Sequence, residues 1–480
     1  MHKAHHALTR HDWSGRPAES AGVLNRRRLH LLDGSGFPQK SRFFEENFHL
    51  RSRMGCIMVR RKGLQTALIS KVFWRDEWRY FGPALIVSVA YIDPGNYGTD
   101  ISGGATFGYS MLWVVWLAGI MAMLLQYLSG KIGIATGHSL PELIRLHLKK
   151  PVYIIPYWLA SEFAAVMTDL AEFLGTVIAL NLLFGIPLLY GTFISVLDVL
   201  LIFGVTSGRI RRLEYAFMVF VSTIGIGYVY EIFITGANLI PLVTGSVVPN
   251  LSSTPRILIA VGVIGATVMP HALFVHSSLA NDKITDPSIE TKRKVMRLHR
   301  VESIIMFTFA GLVNVAIMVM AAAAFGAHGI QVATIQEAYI TLEPLFGRAA
   351  AVVFGITLLA SGLSSSTTGT LAGQAIMEGM LGRKTNLWVR RIVTRLINTI
   401  PTTLAILSGI EPLQILVFSQ VALSLLLPLP LLPLWKFTRD RNLMGELSNA
   451  RITTVVATVF IVFILALNAL LLFLSLGGQI

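Results

Sequence analysis

Cysteine is almost absent from this chain. Cys56 is the single one in 480 residues, so no internal disulfide can form and thiolate ligation of a metal is implausible. Charge is sparse, at 14% of residues, against about a quarter in ordinary soluble domains. Acidic residues are the scarcer sign, 26 against 40 Lys and Arg, which leaves a formal net charge of +14. A soluble protein with that balance would suggest nucleic acid, but 54% hydrophobic content in repeated long runs makes this a polytopic membrane protein. The excess of cations then belongs to loops and needs no nucleic-acid partner. Also missing are a nucleophile elbow and a metalloprotease helix motif. A membrane-embedded hydrolase is therefore the least favoured reading, and no enzyme is expected.

Residues 1–75 hold no apolar run of 18 residues, so they form neither a span nor a secretory signal. They are polar, basic and rich in His and Arg, and are expected to be a disordered cytoplasmic tail. His2, His5, His6 and His11 are possible metal ligands there, but a solvated tail accounts for them. The body, 76–480, is expected to be all-α, with eleven transmembrane helices at 82–106, 110–134, 153–184, 189–206, 213–233, 257–280, 302–325, 349–379, 388–408, 412–435 and 453–476. One set of loops carries Arg145, Lys149, Lys150, Arg209, Arg211, Arg212, Lys283, Lys292, Arg293, Lys294, Arg297, Arg300, Arg383, Lys384, Lys436, Arg439, Arg441 and Arg451. The opposite set carries little beyond Arg256 and Arg348. That bias puts the N-terminus in the cytoplasm and the C-terminus outside.

Two spans are interrupted. The first contains Asp93-Pro94-Gly95-Asn96 and the sixth contains Met269-Pro270-His271. Proline removes a backbone donor and clashes with the preceding turn. Broken backbone at membrane depth is tolerated only inside protein or beside a watery cavity. Paired breaks half a chain apart point to an inverted-repeat (5+5) transporter with a midplane site. Repeat one would cover about 82–233 and repeat two about 257–435, with 453–476 peripheral. Asp93 and Asn96 offer a carboxylate and an amide oxygen, and unwinding frees carbonyls, with Ala90 and Ala266 as candidates. Met269 offers a thioether. Hard Mg²⁺ and Ca²⁺ prefer shells made only of oxygen, whereas a thioether favours transition metals.

In the third span Glu162, Asp169 and Glu172 share one helical face, as a proton path through a membrane requires. His271 and His276 follow the second break and titrate near neutrality. Their alternative roles are metal ligation for His271 and polar packing for His276. In the ninth span Arg391 and Arg395 share a face that could pair with the acids, and Arg390 is either a flanking charge or part of the same path. Gln420 is a buried amide that either meets the ion or ties helices together. Asn314 is a similar buried amide in the seventh span.

Taken together, Asp93-Pro94-Gly95-Asn96, Thr168–Gly175, Gly265–His271, Thr368–Gln374 and Met377-Glu378-Gly379 resemble the natural resistance-associated macrophage protein (Nramp) family of divalent-metal transporters. The resemblance runs from about Gly82 to the end of span ten. It implies the fold of the sodium-coupled amino-acid transporters and proton-coupled uptake of Mn²⁺ or Fe²⁺ through the cell membrane, with the metal as cargo and no resident cofactor. It implies metal binding by Asp93, Asn96, Met269 and the carbonyls of Ala90 and Ala266, with Gln420 joining in some conformations. Asp169, Glu172, His271, Arg390 and Arg391 match positions tied to proton movement. Ala272 stands where many members carry Asn, and Leu363 where a Gln is common. Met269 argues against the magnesium-transporting branch. The rival reading is an amino-acid or organic-cation carrier of the same fold.

Overall fold

A computed structural model describes residues 80–196, 210–284, 286–326, 335–384 and 386–476. The tail at 1–75, with its histidines and Cys56, lies outside the described residues, which contain helices and their connections but no strand.

The first span is two helices. Helix α1 (Pro83–Ala90) stops, residues 91–93 are non-helical, and α2 (Pro94–Phe107) begins with proline at its first position. Proline suits that place because the first helical amide has no partner inside the helix. Asp93 caps α2, its carboxylate accepting the Asn96 amide at 2.8 Å. The sixth span repeats the device. Helix α9 (Thr254–Val268) ends at Met269, and α10 (Pro270–Asp282) opens on proline.

Between the breaks run α3 (Leu112–Thr136), the short surface helix α4 (Leu140–Leu148), α5 (Pro151–Phe184), α6 (Leu188–Ser195), α7 (Ile210–Thr235) and α8 (Leu239–Val247). After them come α11 (Ile289–Ala324), α12 (Ile335–Phe346), α13 (Arg348–Leu381), α14 (Leu387–Leu407), α15 (Pro412–Leu426), α16 (Pro428–Arg439), α17 (Arg441–Met444) and α18 (Arg451–Ser475). Helix α11 starts where Ser288 accepts the Thr291 amide. Asp286 beside it is held below the usual carboxylate range by the hydroxyl and amide of Ser288.

Eight stretches among the described residues are long and apolar enough to cross a bilayer. The remaining expected positions differ for identifiable reasons. The first span's N-terminal half is the eight-residue α1, and 189–206 runs past the described residues after α6. Helix α14 carries Arg390, Arg391 and Arg395, which lower its hydropathy. The span expected at 412–435 is one apolar stretch, Pro412–Arg439, in which Pro428 divides α15 from α16 while Leu427 between them keeps helical dihedrals. Helices α5 and α13, at 34 residues each, are about 51 Å long at 1.5 Å per residue, well beyond the hydrocarbon core.

The core forms where α13 packs on α5, α11 on α3 and α2, α10 on α3, and α9 on α15. Glycine permits two of the close approaches. A methyl group at Gly175 of α5 would fall on the Pro94 ring, and one at Gly265 of α9 would fall on the backbone carbonyl of Gln420. Both breaks are therefore held tightly by neighbouring helices.

Candidate functional site

The two prolines free two matching carbonyls. In a continuous helix the Ala90 carbonyl would accept from residue 94 and the Ala266 carbonyl from residue 270. Both of those residues are proline and have no N–H. The Ala266 carbonyl instead lies 3.3 Å from Nδ2 of Asn96, across from the other broken helix. The same nitrogen donates to Asp93 Oδ1 at 2.9 Å and to the Tyr91 carbonyl at 3.0 Å. Three oxygens from two helices thus converge on one weakly positive N–H₂ group. Asn96 Oδ1 is turned away and accepts from the Thr267 hydroxyl at 3.2 Å. Asp93 Oδ2 is buried without a hydrogen-bond partner.

Met269 is fully buried with φ 41° and ψ 110°. A non-glycine residue in that region stores roughly 1–3 kcal/mol of strain. The backbone is thus forced into an irregular turn beside the freed Ala266 carbonyl. Gln420 completes the surround. A methyl group on Gly95 would strike its side-chain amide, so Gln420 lies directly against the first break while its backbone carbonyl abuts Gly265 near the second. Its Nε2 donates to Ser419 at 3.0 Å, and its Oε1 has no hydrogen-bond partner. The structure therefore brings Asp93, Asn96, Ala266 and Gln420 together, with Ala90 and Met269 in the two adjoining turns.

The titratable residues lie on α5, α10 and α14. His271 Nδ1 is 2.9 Å from the Thr168 hydroxyl, next in sequence to Asp169. Asp169 pairs with Arg395 at 3.4 Å and accepts from Asn398 at 2.6 Å. Arg395 is fully buried, lies over the Phe173 ring and also bonds Ser366. Glu172 is buried, with neither oxygen hydrogen-bonded, against the bare face of Gly369. Arg390 pairs with Glu162, which also accepts from Trp158 at 3.1 Å. Arg391 donates to Ser366 at 3.0 Å. The expected alignment with the acids is thus met at Arg395, the more buried of the two arginines.

His276 bonds Gln126 at 2.9 Å, and Gln126 donates to the Tyr91 hydroxyl at 2.6 Å. Asn314 donates to the Tyr91 carbonyl at 3.0 Å and so ties α11 to the first break. Tyr91, Gln126, Thr267, Asn398 and Ser366 were not singled out from sequence. They are common polar residues whose importance comes from cross-helix contacts. Asp100 and Glu231 were also missed. Both are buried carboxylates without hydrogen-bond partners, and the cost of a carboxylate inside a span would have flagged them.

The chain matches the family model described as natural resistance-associated macrophage protein-like over residues 84–474. It is 43% identical over 400 residues to a protein of Deinococcus radiodurans named divalent metal cation transporter MntH, covering 83% of this chain and 90% of that one. It is 42% identical over 408 residues to the protein of that name from Granulibacter bethesdensis, covering 85% and 91%. Among solved structures, the Eremococcus coleocola manganese transporter superposes with a TM-score of 0.75 at 31% identity, over 82% of this chain and 86% of that one. MhsT in complex with L-phenylalanine gives 0.55 at 15% identity, over 81% and 98%, and inward-facing Mhp1 gives 0.53 at 16%, over 82% and 89%. The last two show a shared fold alone.

Proposed function

The chain belongs to the Nramp family of membrane transporters, and from that premise we propose that it imports divalent transition-metal ions, Mn²⁺ and Fe²⁺, into the cytoplasm as a proton-coupled secondary transporter. The observation that carries this reading is the convergence of Asp93 Oδ1, the Tyr91 carbonyl and the Ala266 carbonyl on Asn96 Nδ2. A cation suits the place that this amide nitrogen occupies. Rotation of the Asn96 amide would turn Oδ1 inward and add an oxygen to the shell. Asp93 would supply the charge, the Ala90 and Ala266 carbonyls neutral oxygens, and Met269 the thioether that favours a transition metal. Gln420 would add its unpartnered Oε1 in some conformations.

The coupling proton would use a different set of groups. Asp169 and Glu172 lie on α5, which presses Gly175 against Pro94 of the first break, His271 lies on α10, and Arg395 of α14 pairs with Asp169. The Arg390–Glu162 pair lies nearer the starts of α14 and α5. Separating the two paths lets metal and proton share a direction without occupying one site. Alternating access would rock one group of helices about the breaks.

The test is Mn²⁺ uptake into proteoliposomes with internal pH recorded at the same time. We expect uptake to acidify the lumen, and Asp93→Asn to abolish both signals. Uptake without acidification would refute the coupling, and full uptake by Asp93→Asn would remove Asp93 from the site.

A further inference from the structure

A groove lies away from the helix breaks, at the end of the bundle whose loops carry the basic residues. There α4, the start of α5 and the proline-interrupted α16 enclose a groove of about 400 Å³. Ile144, Leu148, Tyr157, Leu429, Leu432 and Phe437 make its wall almost wholly apolar. Pro433 inside α16 has no N–H for the Leu429 carbonyl, and the Tyr157 hydroxyl donates to that carbonyl instead. Tyr157 is six residues into α5, about 9 Å from that helix's start at 1.5 Å per residue. The groove thus lies near the N-terminal end of α5 and is lined by Tyr157 and Trp435, residue types that concentrate where headgroups meet hydrocarbon.

Its mouth is cationic. Lys436 lines the groove and donates to His147 at 2.8 Å, which aligns the ammonium at the rim. Arg439, one turn further, lies 4.3 Å over the Trp435 ring. Among the described residues no carboxylate is within ion-pair distance of either cation. An apolar trough at membrane depth with unneutralised cations at its polar end has the charge pattern of an anionic amphiphile. The basic tail of the chain itself carries the wrong sign for this rim.

We propose that this groove binds one anionic phospholipid, with an acyl chain along Leu429, Leu432 and Tyr157 and the phosphate at Lys436 and Arg439. Basic pockets between membrane helices are suited to such headgroups. The site touches α4, α5 and α16, so its occupant would brace α16 against the other two. The inference does not depend on which ion the protein carries, because its readout is lipid retention.

The test uses the full chain in nanodiscs of phosphatidylcholine alone or mixed with phosphatidylglycerol, followed by native mass spectrometry of the retained lipid. Wild-type protein is expected to retain phosphatidylglycerol in preference to phosphatidylcholine. Lys436→Gln with Arg439→Gln should lower that preference by about fivefold per charge removed, the scale of one basic residue's attraction to an anionic headgroup. Leu432→Trp should reduce retention of both lipids, and Lys384→Gln, basic but outside the groove, should change nothing. Equal retention of the two lipids by wild type would overturn the proposal. So would an equal effect of Lys384→Gln, which would mean only a general surface charge. Displacement of the lipid by inorganic phosphate alone would assign the rim to a free anion and refute the lipid.

Discussion

Proline at two positions accounts for most of what is distinctive at the residue scale. Pro94 and Pro270 each deprive the carbonyl four residues earlier of its donor, and those carbonyls belong to Ala90 and Ala266. This much was legible in the sequence, because a proline and a carboxylate or thioether inside an apolar run conflict with a continuous helix. The convergence on Asn96 Nδ2 was not legible, since Tyr91 and Thr267 are brought there by the turns that the breaks create. Met269 has two separable properties, a sulfur and a strained backbone. Met269→Ala removes the first and keeps the second. In competition assays we expect its preference for Mn²⁺ over Ca²⁺ to fall about tenfold, or ~1.4 kcal/mol, while much Mn²⁺ uptake survives. Unchanged rejection of Ca²⁺ would count against thioether ligation. Met269→Gly also lacks the sulfur but accepts φ 41° without a Cβ penalty. It should be more stable than Met269→Ala by ~1 kcal/mol, readable as a higher melting temperature in detergent.

At the scale of elements, what matters is which helix is pressed against which break. Asp169 and Arg395 join α5 to α14 inside the protein, with Asn398 one turn further along α14 holding the second carboxylate oxygen. The sequence placed Arg391 and Arg395 on one face of a helix, but periodicity cannot say which of them meets an acid. The packing of α14 on α5 decides that, and it brings Arg395 to 3.4 Å from Asp169. Removing the cation alone leaves a buried carboxylate without its charge partner, which costs about 3–5 kcal/mol. Arg395→Leu is therefore expected to lower thermal stability strongly, and the double variant with Asp169→Leu should recover most of the loss. If the double variant is no more stable than the single one, the pair is not an energetic unit. The span at 412–435 was legible for the opposite reason: a leucine-rich run satisfies hydropathy whatever its neighbours, and Pro428 leaves Leu427 helical within one stretch, Pro412–Arg439.

For the whole molecule, the direction of transport depends on which end faces the cytoplasm. The chain's cations favour one assignment by the positive-inside rule. Basic loops follow α3, α10, α13 and α16, and the linkers at the other ends, including that around Arg256, are nearly uncharged. Arg256 itself is occupied, lying 4.7 Å over the Phe107 ring and bonding Ser110 at 3.0 Å, so it joins the far ends of α2 and α9. The sequence assigns an orientation from summed loop charge alone, without reference to contacts. The number of crossings is harder to read, because the broken first span and the arginine-bearing α14 depart from a uniform apolar run. With Cys56 replaced by serine, single cysteines at Ser252 and Lys384, both exposed, report the two ends. A membrane-impermeant maleimide should label Ser252→Cys in intact cells and Lys384→Cys only after permeabilisation. The reverse pattern would put the basic loops outside. It would also turn the direction proposed for metal and proton around, because the same two breaks would then be entered from the opposite face.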